Sequence, residues 1–207
     1  MAKILSGVAR AGVNHVLDPV ARALLRARVS PDAVTVAGTA GVLVGALGFG
    51  ARGHLVAATV IVTLSTMTDL IDGTMARMSG RTGRFGAFLD STMDRVADGA
   101  VFGAVAYWLA TQGRHGTLTA CLICLVTGQI VSYAKARAEG LGMTANVGVA
   151  ERFERLALIG LGGLVEGFGW RYGLDVALWL LAVLSVITIG QRVTTVYRQD
   201  LEQHEPR

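Results

Sequence analysis

Cysteine is almost missing from this 207-residue chain: Cys121 and Cys124 are the whole supply. They form a CxxC, but no further ligand pair accompanies them, so the sequence supports neither a metal nor a redox centre there and the two read as buried free thiols. Proline is nearly as scarce, with three residues against 27 glycines. That balance suits close-packed transmembrane helices better than soluble loops. Charge is the third scarcity. Only 16% of residues are charged and 52% are hydrophobic, whereas a soluble domain carries roughly 25% charged residues. There is no internal repeat, no low-complexity segment, and no uninterrupted apolar core near the N-terminus of the kind a cleaved signal peptide needs. The net charge of +4 fits anionic lipid headgroups as partners, not nucleic acid.

What is present is a series of charge-poor stretches. They predict six transmembrane spans, at about 31–51, 54–77, 85–112, 116–138, 150–169 and 173–197, near the ~20 residues a bilayer requires. Residues 1–28 differ in kind. Ile4, Leu5, Val8, Val13, Val16, Leu17, Val20, Leu24 and Leu25 recur mostly at three- and four-residue spacing, with Lys3, Arg10, Asn14, Arg22 and Arg26 on the other face. This pattern predicts an amphipathic helix lying in the interface, restarted at Asp18-Pro19. The expected fold is therefore an all-α integral membrane protein: an interfacial helix (1–28), a six-helix domain (29–198) and a short tail (199–207).

Lysine and arginine orient the chain. An even number of spans puts both termini on one side, which collects the N-terminal cations, Arg77, Arg81, Arg84, Lys135, Arg137, Arg152, Arg155, Arg192, Arg198 and Arg207. The opposite loops receive Arg52, Arg114 and Arg171. The first side is the cytoplasmic one, and a cell-membrane location is expected. Trp108, Trp170 and Trp179 fall near the outer halves of their spans, and two of them suit anchoring at the interface.

Against this apolar background stands DLIDGTMARMSGRTGRFGAFLDSTMD, residues 69–94. On a helix, Asp69 and Asp72 lie about 60° apart and Asp90 and Asp94 about 40° apart, so each pair shares a face. A turn between them brings the two helices together antiparallel. Four converging carboxylates repel one another unless a cation joins them. Hard oxygen ligands select Mg²⁺ or Mn²⁺, and four of them can hold two such ions. Two divalent ions at a membrane surface point to phosphoryl chemistry. Gly73, Ala76 and Gly86 are small where a ligand must approach, and Arg77 offers a fork to phosphate. The bland alternative, aspartates merely paired with Arg77, Arg84 and Arg95, accounts poorly for all four together with the small residues between them. Asp98, one turn beyond Asp94, reads as a buried partner for a neighbouring polar group.

The pattern Asp69-x2-Asp72-Gly73-x2-Ala76-Arg77-x8-Gly86-x3-Asp90-x3-Asp94 resembles the signature of the CDP-alcohol phosphotransferases, with every fixed position present. The six-span layout with an interfacial helix resembles that family too. The resemblance implies transfer of a phosphatidyl group from CDP-diacylglycerol to an alcohol, with release of CMP and a requirement for divalent metal. It implies that Asp69, Asp72 and Asp90 bind metal, and that Asp94 shares the metal site and acts as general base. Gly73, Ala76 and Arg77 would hold the cytidine diphosphate. By the same resemblance Pro31, Asp32, Ala33 and Val34 lie beside the nucleotide, where Ser30 caps the first span. So do Thr82, Gly83 and Gly86 around the intervening loop.

Lys135, Arg137, Arg152, Arg155 and Arg192 lie near cytoplasmic helix ends. Several cations around one mouth point to an acceptor that itself bears a phosphate. Physical reasoning stops at a phosphorylated alcohol. The run VSYAKARAEGLG resembles the branch of the family whose acceptor is inositol 1-phosphate (1D-myo-inositol 3-phosphate), which implies an acceptor-phosphate pocket of Lys135, Arg155 and Arg192 with Ser132 and Arg152. The branch that uses glycerol 3-phosphate is the runner-up. A proton- or cation-conducting protein is the rival of a different class, and metal-dependent CMP release separates it. The family analogy and the small Gly99, Gly103, Ala104 and Ala106 of the third span suggest a homodimer.

Overall fold

The computed structural model describes residues 17–80 and 83–204, with side chains to Glu202. The first sixteen residues of the expected interfacial helix and Thr82 lie outside the described residues. Helices follow one another as α1 (17–26), α2 (Pro31–Leu43), α3 (Leu55–Thr66), α4 (Thr68–Ser79), α5 (Arg84–Thr111), α6 (His115–Gly140), α7 (Arg152–Gly167) and α8 (Gly173–His204). No strand occurs among the described residues. Four segments are long and apolar enough to cross a membrane: Pro31–Arg52, Leu55–Ser79, His115–Gly140 and Gly173–Glu202. The other two expected spans are helical as well. However, α5 carries the charges of the aspartate motif, and α7 has only 16 residues. The protein is thus an all-helical membrane protein.

Two details depart from the expected elements. The second span is broken at Met67 into α3 and α4, just before the polar run from Thr68 to Asp72. The last helix continues to His204, taking in the first residues of the expected tail. Gln199 explains this extension: its Nε2 donates to the Thr144 carbonyl at 2.6 Å while its Oε1 accepts from the Thr144 amide at 2.9 Å.

The chain divides into two compact units. The first contains residues 17–44, 61–80 and 83–97 of the described chain. Ser30 starts α2 as expected, its Oγ accepting from the Ala33 amide at 3.2 Å, with proline in the first turn. Ala21, Val34 and Met75 form a small core, with Leu24, Leu25, Val29 and Ile71 against it. Gly38 allows α2 to lie close to α4. A Cβ there would collide with the Thr68 hydroxyl and stand 3.1 Å from the Ser65 carbonyl oxygen.

The second unit contains residues 45–60 and 98–204 of the described chain. Its centre is α8, whose Leu174, Leu178 and Leu181 are fully buried. Cys121 and Cys124 are free and buried, as expected. Their thiols donate to the carbonyls of Phe102 (3.3 Å) and Leu178 (3.2 Å). One end of this unit is tied by Arg114, which pairs with Glu166 and Asp175, while Asp175 accepts from Thr117. Burial alone would lower the Arg114 pKa, but the carboxylates of Glu166 and Asp175 more than offset it and hold it above its ordinary value.

Candidate active site

The aspartate motif lies on α4 and the start of α5. Asp72 is buried and accepts a hydrogen bond from Thr35 Oγ1 of α2 at 2.6 Å. Thr35 was not singled out in the sequence. Its signal is modest: a hydroxyl in an apolar helix, three residues beyond Asp32 and so on nearly the same face. Asp69 and Asp90 lie close enough for their charges to act on Asp72, so the structure brings carboxylates from both helices together. Asp94 is half-buried, with Arg95 Nη2 at 3.8 Å from its Oδ2.

Around these groups the motif's small residues keep room. A Cβ on Gly73 would stand 3.5 Å from Arg77 Nη1, and one on Gly86 would stand 3.5 Å from Asp32 Oδ1. Asp32 of α2 therefore faces the start of α5. Arg77 is exposed, and its Nη2 donates to Thr74 Oγ1 at 2.9 Å. Gly80, in the left-handed region at φ 64°, ends α4 and lets the chain turn toward α5. Pro31 and Ala33 lie in the first turn of α2, Ala76 is half-buried on α4, and Gly83 is exposed. The Val34 side chain belongs to the small core.

Among the described residues no three acidic, histidine or cysteine side chains are set closely enough to hold a metal ion as they stand. The donor chemistry nevertheless fits one. A buried carboxylate flanked by two others is an arrangement that a hard divalent cation relieves, and every donor is an oxygen.

The acceptor-side cations lie in the second unit. Arg155, on the first turn of α7, is 1% exposed, and its Nη2 donates to Asp98 Oδ2 at 2.6 Å. Arg152 Nε donates to Asp98 Oδ1 at 3.4 Å. Asp98 is thus the buried polar partner the sequence suggested. Arg192 of α8 is also buried. Its Nε donates to the Val147 carbonyl (2.9 Å), its Nη1 to the Val131 carbonyl, and its Nη2 to Glu151 (3.2 Å). Gly128, which faces Arg155, and Val131, Ser132 and Lys135 share one side of α6, so Arg155 and Arg192 are brought to the helix that bears Lys135. Thr188 completes this end. Its Oγ1 accepts from the amides of Val149 (3.2 Å) and Ala150 (3.0 Å), fixing the entry to α7. Glu151 and Thr188 carry no local sequence signal for these contacts.

Residues 28–190 match the family model described as CDP-alcohol phosphatidyltransferase, and the chain belongs to that family. It is a transferase of phospholipid biosynthesis. Its relatives include the phosphatidylinositol phosphate synthase of Streptomyces avermitilis, 50% identical over 207 residues, an alignment that covers 96% of this chain and 85% of that protein. The protein of the same name from Mycobacterium marinum is 46% identical over 194 residues, covering 92% and 83%. Among solved structures, Mycobacterium tuberculosis phosphatidylinositol phosphate synthase with CDP-DAG bound is 45% identical and superposes with a TM-score of 0.86, over 88% of this chain and 94% of that one. Its complex with manganese and citrate gives a TM-score of 0.84, over 87% and 88%.

Proposed function

We propose that this chain transfers the phosphatidyl group of CDP-diacylglycerol to a hydroxyl of inositol phosphate, giving phosphatidylinositol phosphate and CMP. The unbroken motif on α4 and α5 carries this reading, and relatives of that name at 45–50% identity support the acceptor. Asp94 takes the proton from the attacking hydroxyl as general base. The freed oxygen bonds to the lipid-side phosphorus, whose bond to the CMP oxygen breaks. Asp69, Asp72, Asp90 and Asp94 would hold Mg²⁺ or Mn²⁺, two ions in number, and the manganese complex of the tuberculosis relative supports a divalent metal. Such ions, when bound, supply neutralisation of the diphosphate charge. Arg77 places its fork on the diphosphate, with Gly73, Ala76, Gly83, Gly86, Thr82 and residues 31–34 around the nucleotide. Ser132, Lys135, Arg152, Arg155 and Arg192 receive the acceptor's phosphate. Six spans, with both termini and the site on the cytoplasmic face of the cell membrane, complete the reading.

The test is CMP release from CDP-diacylglycerol by purified protein, with and without chelator. Release that needs both acceptor and divalent metal is expected; its absence, with ion flux through vesicles instead, would point to a conducting protein.

Thr35→Val keeps the side chain's shape and removes the hydrogen bond to Asp72. A bond to a charged group contributes about 1.5–3 kcal/mol. The divalent-ion concentration for half-maximal activity should therefore rise by about tenfold or more. A titration of rate against metal measures it. Of the small residues named on α5, Ala104 and Ala106 are buried within the chain itself and only Gly99 and Gly103 are partly open, so the homodimer rests on the family analogy. Cross-linking in lipid at native density should trap a dimer, and monomer alone would count against it.

A further inference from the structure

Asp98 and Arg155 are among the most buried charged residues of the chain, 2% and 1% exposed. Each Asp98 oxygen takes a different guanidinium: Oδ2 that of Arg155, Oδ1 that of Arg152. Two cations on two positions of α7 thus share one carboxylate of α5. Arg155 keeps a further donor, Nε, buried without a hydrogen-bond partner among the described residues. It lies against Gly128 of α6, where a Cβ would stand 3.2 Å from Nε and 3.5 Å from the guanidinium carbon. Arg152, with its side chain 23% exposed, is the more open member. A free arginine loses much rotamer freedom when it grips an anion, and one already fixed does not.

We propose that Asp98 is a positioning residue for the acceptor: it holds Arg155 and Arg152 as a pre-set pair of guanidiniums for the phosphate of the incoming alcohol. The inference rests on the reading of a phosphorylated acceptor given above. Asp98 itself does not touch that phosphate, because like charges repel. It acts through the two arginines, and Gly128 supplies the space in which Arg155 is held. A purely architectural ion pair between α5 and α7 is the competing account, and it makes no distinction between the two substrates.

The experiment measures CMP release with each substrate varied separately, for wild type, Asp98→Asn, Asp98→Glu and Gly128→Ala. Asp98→Asn keeps the shape but loses the charge and turns an amide donor toward a guanidinium. The Michaelis constant for inositol phosphate should rise by about tenfold, since charge-assisted contacts are lost. That for CDP-diacylglycerol should stay unchanged. Asp98→Glu, which restores the charge on a longer arm, should recover part of the loss. If Asp98→Asn does not fold, Gly128→Ala decides the matter: it displaces Arg155 without altering any charge and should show the same selective loss. Equal effects on both substrates, or an unchanged inositol phosphate constant in a protein that uses inositol phosphate, would overturn the inference alone. Wild-type protein that accepts only an unphosphorylated alcohol would overturn the functional reading and this inference with it.

Discussion

Asp94→Asn should lower the turnover number by about 10²- to 10⁴-fold, the range usual for loss of a general base, while nucleotide binding is largely kept. The amide has the carboxylate's shape but cannot take a proton from the attacking hydroxyl. Asp94 lies on the long helix α5, four residues beyond Asp90, with a side chain 21% exposed. It therefore combines a fixed backbone with access to water-borne substrate. Asp69→Asn is the control. It should weaken metal binding and, through it, nucleotide binding, so excess metal should restore much of its rate, whereas Asp94→Asn, which loses the base as well as a metal ligand, should stay far below wild type at any metal concentration. Rates measured across a metal titration, beside calorimetric binding of a CDP-alcohol, separate the two. Near-normal turnover of Asp94→Asn at saturating metal would move the base elsewhere.

Arg155→Ala should raise the Michaelis constant for inositol phosphate by about 10- to 100-fold, as expected for losing a charge-assisted contact to phosphate. It should also lower stability, which neither Lys135→Ala nor a surface arginine change would do. The reason is the buried pair with Asp98: removing one partner of such a pair typically costs about 3–5 kcal/mol when the other charge is left unpaired in the interior, and here Arg152, 3.4 Å from Asp98, offsets part of that cost. Arg155→Lys should rescue stability better than affinity, since lysine keeps the charge and loses the fork. Thermal unfolding in detergent and kinetics with each substrate varied provide the two readings. A residue that only sets topology or touches lipid would leave the inositol phosphate constant unchanged.

The parts of this molecule that were legible in the sequence are those with a local pattern. The Asp69–Asp94 motif, the Ser30 cap and the apolar helices each announce themselves within a few residues. The helix that continues past 198 was not legible, because it depends on Gln199 meeting Thr144 across 55 residues. Asp98 was readable as a buried partner but not as the partner of Arg155, 57 positions away. The cluster of Arg114 with Glu166 and Asp175 is another such case, its members 52 and 61 positions from Arg114. Arg192 offers the sharpest contrast. In sequence it is a cytoplasmic cation assigned to the acceptor pocket by resemblance, with no sign of burial; in the fold it is buried and joins α6, α8 and the segment before α7. Pairing energy between distant residues leaves no periodicity behind, whereas capping, hydrophobic spacing and paired carboxylates do.

This enzyme places a phosphatidyl group on a phosphorylated inositol. The decisive measurement offers purified protein, with CDP-diacylglycerol and divalent metal, inositol phosphate, free inositol and glycerol 3-phosphate in parallel and identifies the lipid product by mass. Phosphatidylinositol phosphate is expected from the first acceptor and little product from the other two. Phosphatidylglycerol phosphate as the main product, or equal use of free inositol, would contradict it.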